Sequence, residues 1–192
     1  MIDPEIASLF NDKELLKEFA ALPPQDRAVI NWQLRWHSTA HKHQVEPPGD
    51  WWSIWLLLAG RGAGKTRASA QTIAEWALIE QNTRWLVSAP TAGDIRGTCM
   101  EGESGLLAVI PKPFLADYNK SLSEIKLING SFIKGIPASE PERFRGGQWH
   151  GAWLDELAAW EYLQDSWDMI QFAVRLGRSE EHTSELQSRQ YL

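Results

Sequence analysis

The sequence predicts an α/β fold in which helices cover a mostly parallel sheet. Three observations predict it. An apolar strand at residues 51–59 runs into a glycine-rich turn and then directly into a helical pattern. Strands and helices alternate after that turn, and a second apolar strand ends in the pair Asp155-Glu156. The 192 residues, 43% of them hydrophobic, suffice for one domain with a sizeable core.

Composition and charge exclude several classes of protein. The single cysteine, Cys99, excludes an internal disulfide and fits a reducing compartment. A formal net charge of −6 is unlike a protein that simply coats nucleic acid, so any DNA contact must be local, transient or made within an assembly. The longest apolar run, residues 54–59, is too short to span a membrane, and the N-terminus lacks a secretory signal. We therefore expect a cytoplasmic protein without membrane contact.

The first part of the chain, residues 1–43, is predicted to be a helical arm. Asp3-Pro4 suits the start of one helix, and a second helix is expected at about residues 25–40. Three histidines then occur within seven residues: His37, His41 and His43. A metal site there is a minor alternative, because no cysteine or acidic residue accompanies them at ligand spacing.

The turn after the first strand matches a phosphate-binding loop. Gly64-Lys65-Thr66 fits the end of the pattern G-x-x-x-x-G-K-[ST], although Ala59 stands where glycine is usual. Small residues let successive backbone N–H groups point at phosphate oxygens, Lys65 reaches the β and γ phosphates, and Thr66 offers a hydroxyl to Mg²⁺. The helix predicted at residues 66–80 directs its N-terminus to the same place. A chance glycine-rich turn is disfavoured because strand, loop and helix come in the required order.

The elements after this helix follow from local patterns. Asn129-Gly130 predicts a hairpin turn between two strands. Trp76, Trp85 and Trp153 fall within apolar patterns and are predicted to lie in the core. In chain order we predict a strand at 84–89, a capping box at 91–94, a helix at 102–110, strands at 120–127 and 131–136, a second capping box at 139–142 and a helix at 166–176.

The acidic pair suits the second half of a nucleotide hydrolysis site. A P-loop ATPase needs an acidic residue at the end of a neighbouring strand to hold Mg²⁺, and Asp155 fits this role. Glu156 is then placed to orient and deprotonate the attacking water. Such a pair is more often solvated or capping, but its place after a strand, about ninety residues beyond Lys65, favours the functional interpretation.

Three arginines are candidates for stabilising charge on the γ phosphate. Arg61 lies inside the loop and would act within the subunit. Arg143 would act within the subunit or across to a neighbour. The alternative for each is a structural or surface ion pair. For Arg143 this alternative is about as well supported as a role at the γ phosphate, and for Arg145 it is better supported.

Several segments together resemble the ATPase part of the large terminase subunit of tailed bacteriophages, the motor that packages DNA into the procapsid. The resemblance covers roughly residues 25–177. Together the segments are specific, although none is specific alone. They are Gln44 with Pro47-Pro48-Gly49-Asp50-Trp51, residues 58–67, Ala89-Pro90-Thr91, residues 101–107, residues 140–146 and residues 153–160.

The resemblance implies a RecA/ASCE-like P-loop NTPase, a three-layer sandwich, that uses ATP and Mg²⁺. Gln44 would read the adenine edge, and Ala59 becomes a family variant. The resemblance also implies a homo-oligomeric ring around double-stranded viral DNA, docked on the portal protein, fed by a small terminase subunit and working in the host cell cytoplasm. The family's C-terminal nuclease domain is not in this sequence. The implied nucleotide-binding residues are Gln44, Gly60, Arg61, Gly62, Ala63, Gly64, Lys65, Thr66 and Arg67, the metal-binding ones Thr66 and Asp155, and the catalytic ones Glu156, Lys65, Arg61 and Arg143.

The end of the chain, residues 178–192, is expected to be non-native. Residues 178–188 resemble the translation of a common sequencing-adapter oligonucleotide and lack apolar periodicity. The ATPase core would then be residues 44–177, truncated at its C-terminus. In the resembled family the next strand inserts between the loop strand and the acidic-pair strand, and here it would begin just past residue 177. We therefore expect a missing central strand and a chain that is unstable or inactive by itself.

Two other functions remain as alternatives. A helicase-like motor shares the phosphate loop and the Asp-Glu pair. A nucleotide-binding module without turnover would use ATP only as a structural ligand. The intact Lys65, Thr66, Asp155 and Glu156 argue against the second alternative for the parent protein, although it remains open for this fragment.

Overall fold

The computed structural model describes residues 13–49, 51–176 and 189–191. Its contacts divide the chain into two units, Met1–Val45 and Glu46–Leu192. The first unit contains helices α1 (Lys13–Ala21) and α2 (Pro24–Thr39), followed by a 3₁₀ turn at Lys42–Gln44. A proline in the first turn of α2 suits its start, because the missing N–H would have no partner in the helix. The second predicted helix is confirmed, and the described part of the first is helical, whereas its proposed start at Asp3-Pro4 lies outside the described residues.

The second unit is built on one mixed sheet. Over the described residues its spatial order is β1-β7-β6-β2-β5-β4-β3. The half from β1 to β5 is parallel, whereas β4 pairs antiparallel with both β5 and β3. The strands are β1 (Ile54–Trp55), β2 (Arg84–Ser88), β3 (Leu115–Asn119), β4 (Glu124–Leu127), β5 (Phe132–Gly135), β6 (Gly151–Leu154) and β7 (Arg189–Tyr191).

Three α-helices of this unit are α3 (Lys65–Ile79), α4 (Leu106–Val109) and α5 (Leu163–Ala173). Every residue of α3 from Ala68 to Leu78 is buried, and its many alanines allow close packing against β2, β6 and α4. The predicted core tryptophans Trp76, Trp85 and Trp153 are all buried. No helix in the part of the chain that the structure describes is long and apolar enough to cross a membrane.

Several predicted elements are confirmed, and others differ for identifiable reasons. The strand predicted at 51–59 forms ladder bonds only at Ile54–Trp55, because its neighbour β7 has only three residues. The helix predicted at 102–110 is reduced to α4, since residues 95–100 already form a π-helix and Gly105 packs against its carbonyls. The capping box predicted at 139–142 does not form: Glu140 is the N-cap of a 3₁₀ helix without a side-chain cap. Strand β3 was not predicted, and α5 begins three residues earlier than expected.

The expectation of a missing central strand is wrong for this structure. Arg189–Tyr191 occupy the place between β1 and β6, where Gln190 is paired in parallel with Ile54 on one side and Ala152 on the other. Two facing strand edges present unpaired N–H and C=O groups, and a short extended segment satisfies them whatever its sequence. The position expected for the next strand is therefore filled, but by residues from the segment expected to be non-native.

Candidate functional site

A cavity of about 240 Å³ lies between the end of the first strand and the acidic pair. It brings Lys65 together with Asp155 and Glu156, which are far apart in the sequence. Because β1 and β6 run parallel to the intervening β7, the segments that follow them emerge at the same edge of the sheet. The lining residues are Leu56, Leu57, Leu58, Ala59, Lys65, Ser69, Trp153, Leu154, Asp155, Glu156, Leu157 and Ala158.

The glycine-rich loop needs its glycines at two positions. Gly62 has φ +79° and Gly64 has φ +78°, a left-handed conformation that side-chain-bearing residues rarely adopt. Gly64 is also the N-cap of α3, and its carbonyl accepts the first helical bond from the Ala68 amide at 2.9 Å. The predicted passage from loop directly into helix is therefore confirmed.

The Lys65 ammonium is tied to the loop that precedes it. Its Nζ donates to the carbonyl of Ala59 at 2.8 Å and to that of Gly60 at 3.4 Å. These two bonds fold the side chain back over the loop while leaving it on the cavity wall. The cation is thus held beside the backbone that the sequence assigns to phosphate binding.

Asp155 directly follows a fully buried strand. Its amide donates to the Ser88 carbonyl at 2.8 Å, which extends the β2–β6 ladder by one bond beyond Leu154. Burial raises the pKa of Asp155, and the negative charge of Glu156 raises it further, while a hydrogen bond from Trp153 and the charge of Lys65 act in the opposite direction. A bound cation would offset both unfavourable influences on the carboxylate.

Glu156 has an unusual backbone. Its φ of 50° and ψ of 46° place it in the left-handed region, at a cost of about 1–2 kcal/mol for a residue other than glycine. Strain of this kind concentrates at functional sites, where surrounding bonds maintain it. The sequence singled out Glu156 for its carboxylate, but nothing in the sequence indicates this conformation.

Cys99 is a neighbour of the site that sequence reasoning missed. It belongs to the π-helix Ile95–Met100, which follows the capping box predicted at 91–94. That capping box is confirmed, because the Thr91 amide donates to Oδ2 of Asp94 at 3.1 Å and the Asp94 amide donates to Oγ1 of Thr91 at 3.2 Å. The buried Cys99 Sγ lies 4.0 Å from Oδ2 of Asp155. Burial, followed by the charge of Asp155, raises the pKa of the thiol, so it stays protonated beside the carboxylate. A lone cysteine in a helical pattern gives no sequence signal of this contact.

Apart from Lys65, none of the predicted nucleotide-binding residues, all of which the structure describes, lines this cavity. Arg61 is exposed in the loop, and Thr66 and Arg67 are the second and third residues of α3. Gln44 belongs to the first unit, where its Oε1 accepts a hydrogen bond from the His41 amide at 2.9 Å. Its role towards adenine stays a prediction.

Arg143 and Arg145 do not line the cavity that contains Lys65. Arg143 lines a separate cavity of about 360 Å³ together with Arg84 and Lys134, and it pairs with Glu140 at 3.3 Å. Arg145 pairs with Glu142 at 3.0 Å. The structure therefore shows ion pairs within the chain for both, and action across a subunit boundary stays a prediction for Arg143.

Of the two residues predicted to hold Mg²⁺, Asp155 lines the cavity and Thr66 does not. Among the described residues, no three or more His, Cys, Asp or Glu side chains are grouped to hold a metal ion. Mg²⁺ typically takes one or two protein oxygen ligands and leaves the others to water and phosphate. Asp155 and the Thr66 hydroxyl are oxygen donors of that kind.

Residues 56–183 match the family described as "Terminase large subunit, T4likevirus-type, N-terminal". Among solved structures, the chain is similar to the large terminase of a thermophilic bacteriophage, with a TM-score of 0.55 and 12% sequence identity. The alignment covers 88% of this chain and 39% of that one, so this chain spans well under half of that terminase. At this identity the likeness shows the fold alone. No curated protein matches the sequence.

Proposed function

Because the chain belongs to the N-terminal family of T4-like large terminase subunits, we propose that it is the ATP-hydrolysing part of a motor that drives viral double-stranded DNA into a procapsid. The observation that carries the proposal is the single cavity lined by Lys65, Asp155 and Glu156. A phosphate-binding cation on one wall and two carboxylates on the other are the groups that nucleotide hydrolysis requires. A P-loop NTPase fold of the RecA/ASCE type is part of this proposal.

The residues divide the chemistry between the two walls. Backbone N–H groups of the loop and the Lys65 ammonium bind the phosphates, and the loop glycines keep Cβ atoms out of the way. Thr66 and Asp155 hold Mg²⁺, which neutralises charge on the phosphate oxygens when it is bound. Glu156 orients the attacking water and accepts its proton. Gln44 contributes selectivity for adenine.

Arg61 is the candidate within the chain for stabilising charge that develops on the transferred phosphoryl group. It lies in the loop itself, close in sequence to Ala59, whose carbonyl binds Lys65. Arg143 is the candidate for action on a neighbouring subunit, since within its own chain it pairs with Glu140. Both assignments follow the need for a cation at the γ phosphate in the transition state.

The proposed partners follow from family membership. They are double-stranded viral DNA, the portal protein, a small terminase subunit and further copies of this chain in a ring, all in the host cell cytoplasm. The formal net charge of −6 supports DNA contacts that are local rather than spread over the whole surface. The family match favours this packaging motor over a helicase-like one.

ATP binding and turnover by the chain, compared between the wild type, Lys65→Ala and Lys126→Ala, test the proposal. Lys126 provides the control because it is an exposed strand lysine paired only loosely with Glu124, at 3.8 Å. We expect Lys65→Ala to weaken nucleotide binding about 10- to 100-fold, the value of a hydrogen bond from a charged group, and to abolish turnover. Lys126→Ala should change neither.

Two other outcomes would change the conclusion. Binding that depends on Lys65 but comes without turnover would favour the nucleotide-binding module. Binding that survives Lys65→Ala would contradict the proposed site. The expected result, turnover that depends on Lys65, would together with cooperative unfolding contradict only the expectation from the sequence that this chain is unstable or inactive by itself.

A further inference from the structure

Trp160 makes a specific bond to the acidic pair. Its indole is 6% exposed, and its Nε1 donates to the backbone carbonyl of Asp155 at 2.9 Å. The ring belongs to a buried cluster with Leu86, Phe144 and Ile170. The indole therefore links the hydrophobic core directly to the peptide bond that joins Asp155 to Glu156.

That peptide bond is where the backbone turns. Glu156 is left-handed, with φ 50° and ψ 46°, two residues after the end of the extended strand β6. The Asp155 amide is fixed by the Ser88 carbonyl at 2.8 Å, and the Glu156 carbonyl accepts from the Ala159 amide at 2.8 Å. Between these two bonds, the Asp155 carbonyl is held by the indole of Trp160. The indole bond thus restrains rotation of the peptide plane that precedes Glu156.

We propose that Trp160 is a positioning residue for Glu156. Its N–H holds the Asp155–Glu156 peptide in the orientation that keeps Glu156 left-handed and on the wall of the cavity that also contains Lys65. Without this bond the peptide plane rotates, Glu156 relaxes to a commoner backbone conformation, and its carboxylate leaves the position from which it acts on water. The inference rests on the proposed function for its effect on hydrolysis, but its structural part concerns the turn alone.

The competing explanation is that Trp160 only fills the core. Trp160→Phe separates the two, since phenylalanine keeps an aromatic ring in the cluster and removes the N–H. Trp52→Phe is a matched control: Trp52 is also 6% exposed, and its Nε1 also donates to a backbone carbonyl, that of Pro47, at 3.0 Å. Trp52 lies outside the lining of the cavity that contains Lys65.

The first measurement is the split between turnover and nucleotide binding. We expect Trp160→Phe to lower kcat at least about 10-fold, because small displacements of a catalytic group are costly, while the Kd for ATP changes less than about twofold. Trp52→Phe should leave both values within about twofold of the wild type. Unchanged kcat in Trp160→Phe, or an equal loss in Trp52→Phe, would overturn the inference.

The second measurement reads the turn without any turnover. Amide hydrogen exchange at Ala159, whose N–H binds the Glu156 carbonyl, should be at least about 10-fold faster in Trp160→Phe than in the wild type and unchanged in Trp52→Phe. Equal exchange in all three proteins would overturn the inference even in an active enzyme. A wild type that neither binds nor hydrolyses ATP would contradict the proposed function, and the exchange rates would still decide whether the indole holds the turn.

Discussion

The two walls of the cavity are held in different ways. On the loop side, residues 56–60 follow a two-residue strand and make no ladder bonds, and Leu58 is 83% exposed. On the acidic side, all four residues of β6 are buried, and Asp155 is fixed through both its amide and its carbonyl. One wall is an open loop, and the other is an extension of the core.

This difference indicates how the proposed site divides its work. A catalytic carboxylate must keep its geometry before the substrate arrives, and a buried strand with fixed peptide groups provides that. A phosphate-binding loop can complete its geometry around its ligand, because the ligand satisfies the backbone N–H groups. We therefore expect changes on the acidic wall to affect the chemical step and changes on the loop wall to affect binding.

The largest expected effect distinguishes the role of the acidic wall in turnover from the role of the loop wall in binding. Glu156→Gln should lower ATP turnover at least about 100-fold, the usual value of a general base, while nucleotide binding changes little. Turnover assays and equilibrium binding of ATP to the variant measure the two effects. The control is Glu142→Gln, an exposed glutamate paired with Arg145. If Glu156→Gln weakens binding as much as Lys65→Ala does, the walls do not act separately.

A pair of glycines tests the loop wall. At both Gly60 and Gly62 an added Cβ would meet no atom within 4 Å, but only Gly62 has a left-handed φ, of +79°. Gly62→Ala should lower the free energy of unfolding by about 1–2 kcal/mol relative to Gly60→Ala, because alanine is strained in that conformation. Urea unfolding of both variants measures the difference. Equal stabilities would mean that the loop relaxes without cost.

Asp155→Asn tests whether the charged Asp155 carboxylate on the acidic wall lowers the stability of the folded protein. Burial and the charge of Glu156 raise the pKa of Asp155 above its ordinary value of 3.8, so the folded state binds its proton more tightly than the unfolded state. The wild type should therefore lose stability relative to Asp155→Asn as pH rises from 3.8 towards neutrality. Urea unfolding against pH provides the measurement, with Asp117→Asn on the exposed face of β3 as control. If the stability of the wild type instead increased relative to that of Asp155→Asn as the pH rises, the burial argument would be contradicted.

The smallest expected effect concerns Arg84 and His150, which lie where β2 and β6 begin, at the ends opposite to Asp155. The Arg84 amide donates to His150 Nδ1 at 3.0 Å, and burial lowers the pKa of His150 below its ordinary value of 6.5. The unfolded chain therefore takes up a proton first as the pH falls, and the stability that His150 contributes is lost below about pH 6.5. This loss should be absent in His150→Gln, as seen by urea unfolding at pH values about one unit above and below that ordinary pKa. The ratio of ATP turnover between the two proteins should not change over the same range.

Much of the fold was predictable because its signals are local. The glycine turn before α3, the Thr91–Asp94 capping box and the Asn129-Gly130 hairpin each depend on residues close in sequence, and all three are confirmed. The predictions that failed concern segments where another local structure competes with the predicted one, or where the outcome depends on residues distant in the sequence. The capping box at 139–142 gave way to a 3₁₀ helix, and the length of β1 depends on a neighbour far along the chain.

The sequence by itself determined the phosphate loop, the helix after it and a strand that ends in two carboxylates, because periodicity, small residues and caps act over a few positions. Only the tertiary structure decided that Lys65 and Glu156 line one cavity, that Arg143 lines another, and that an indole fixes the peptide before Glu156. Strand order and register join residues that are distant in sequence, and no local pattern specifies which backbone groups will meet. The left-handed Glu156 is therefore a property of the assembled sheet and core.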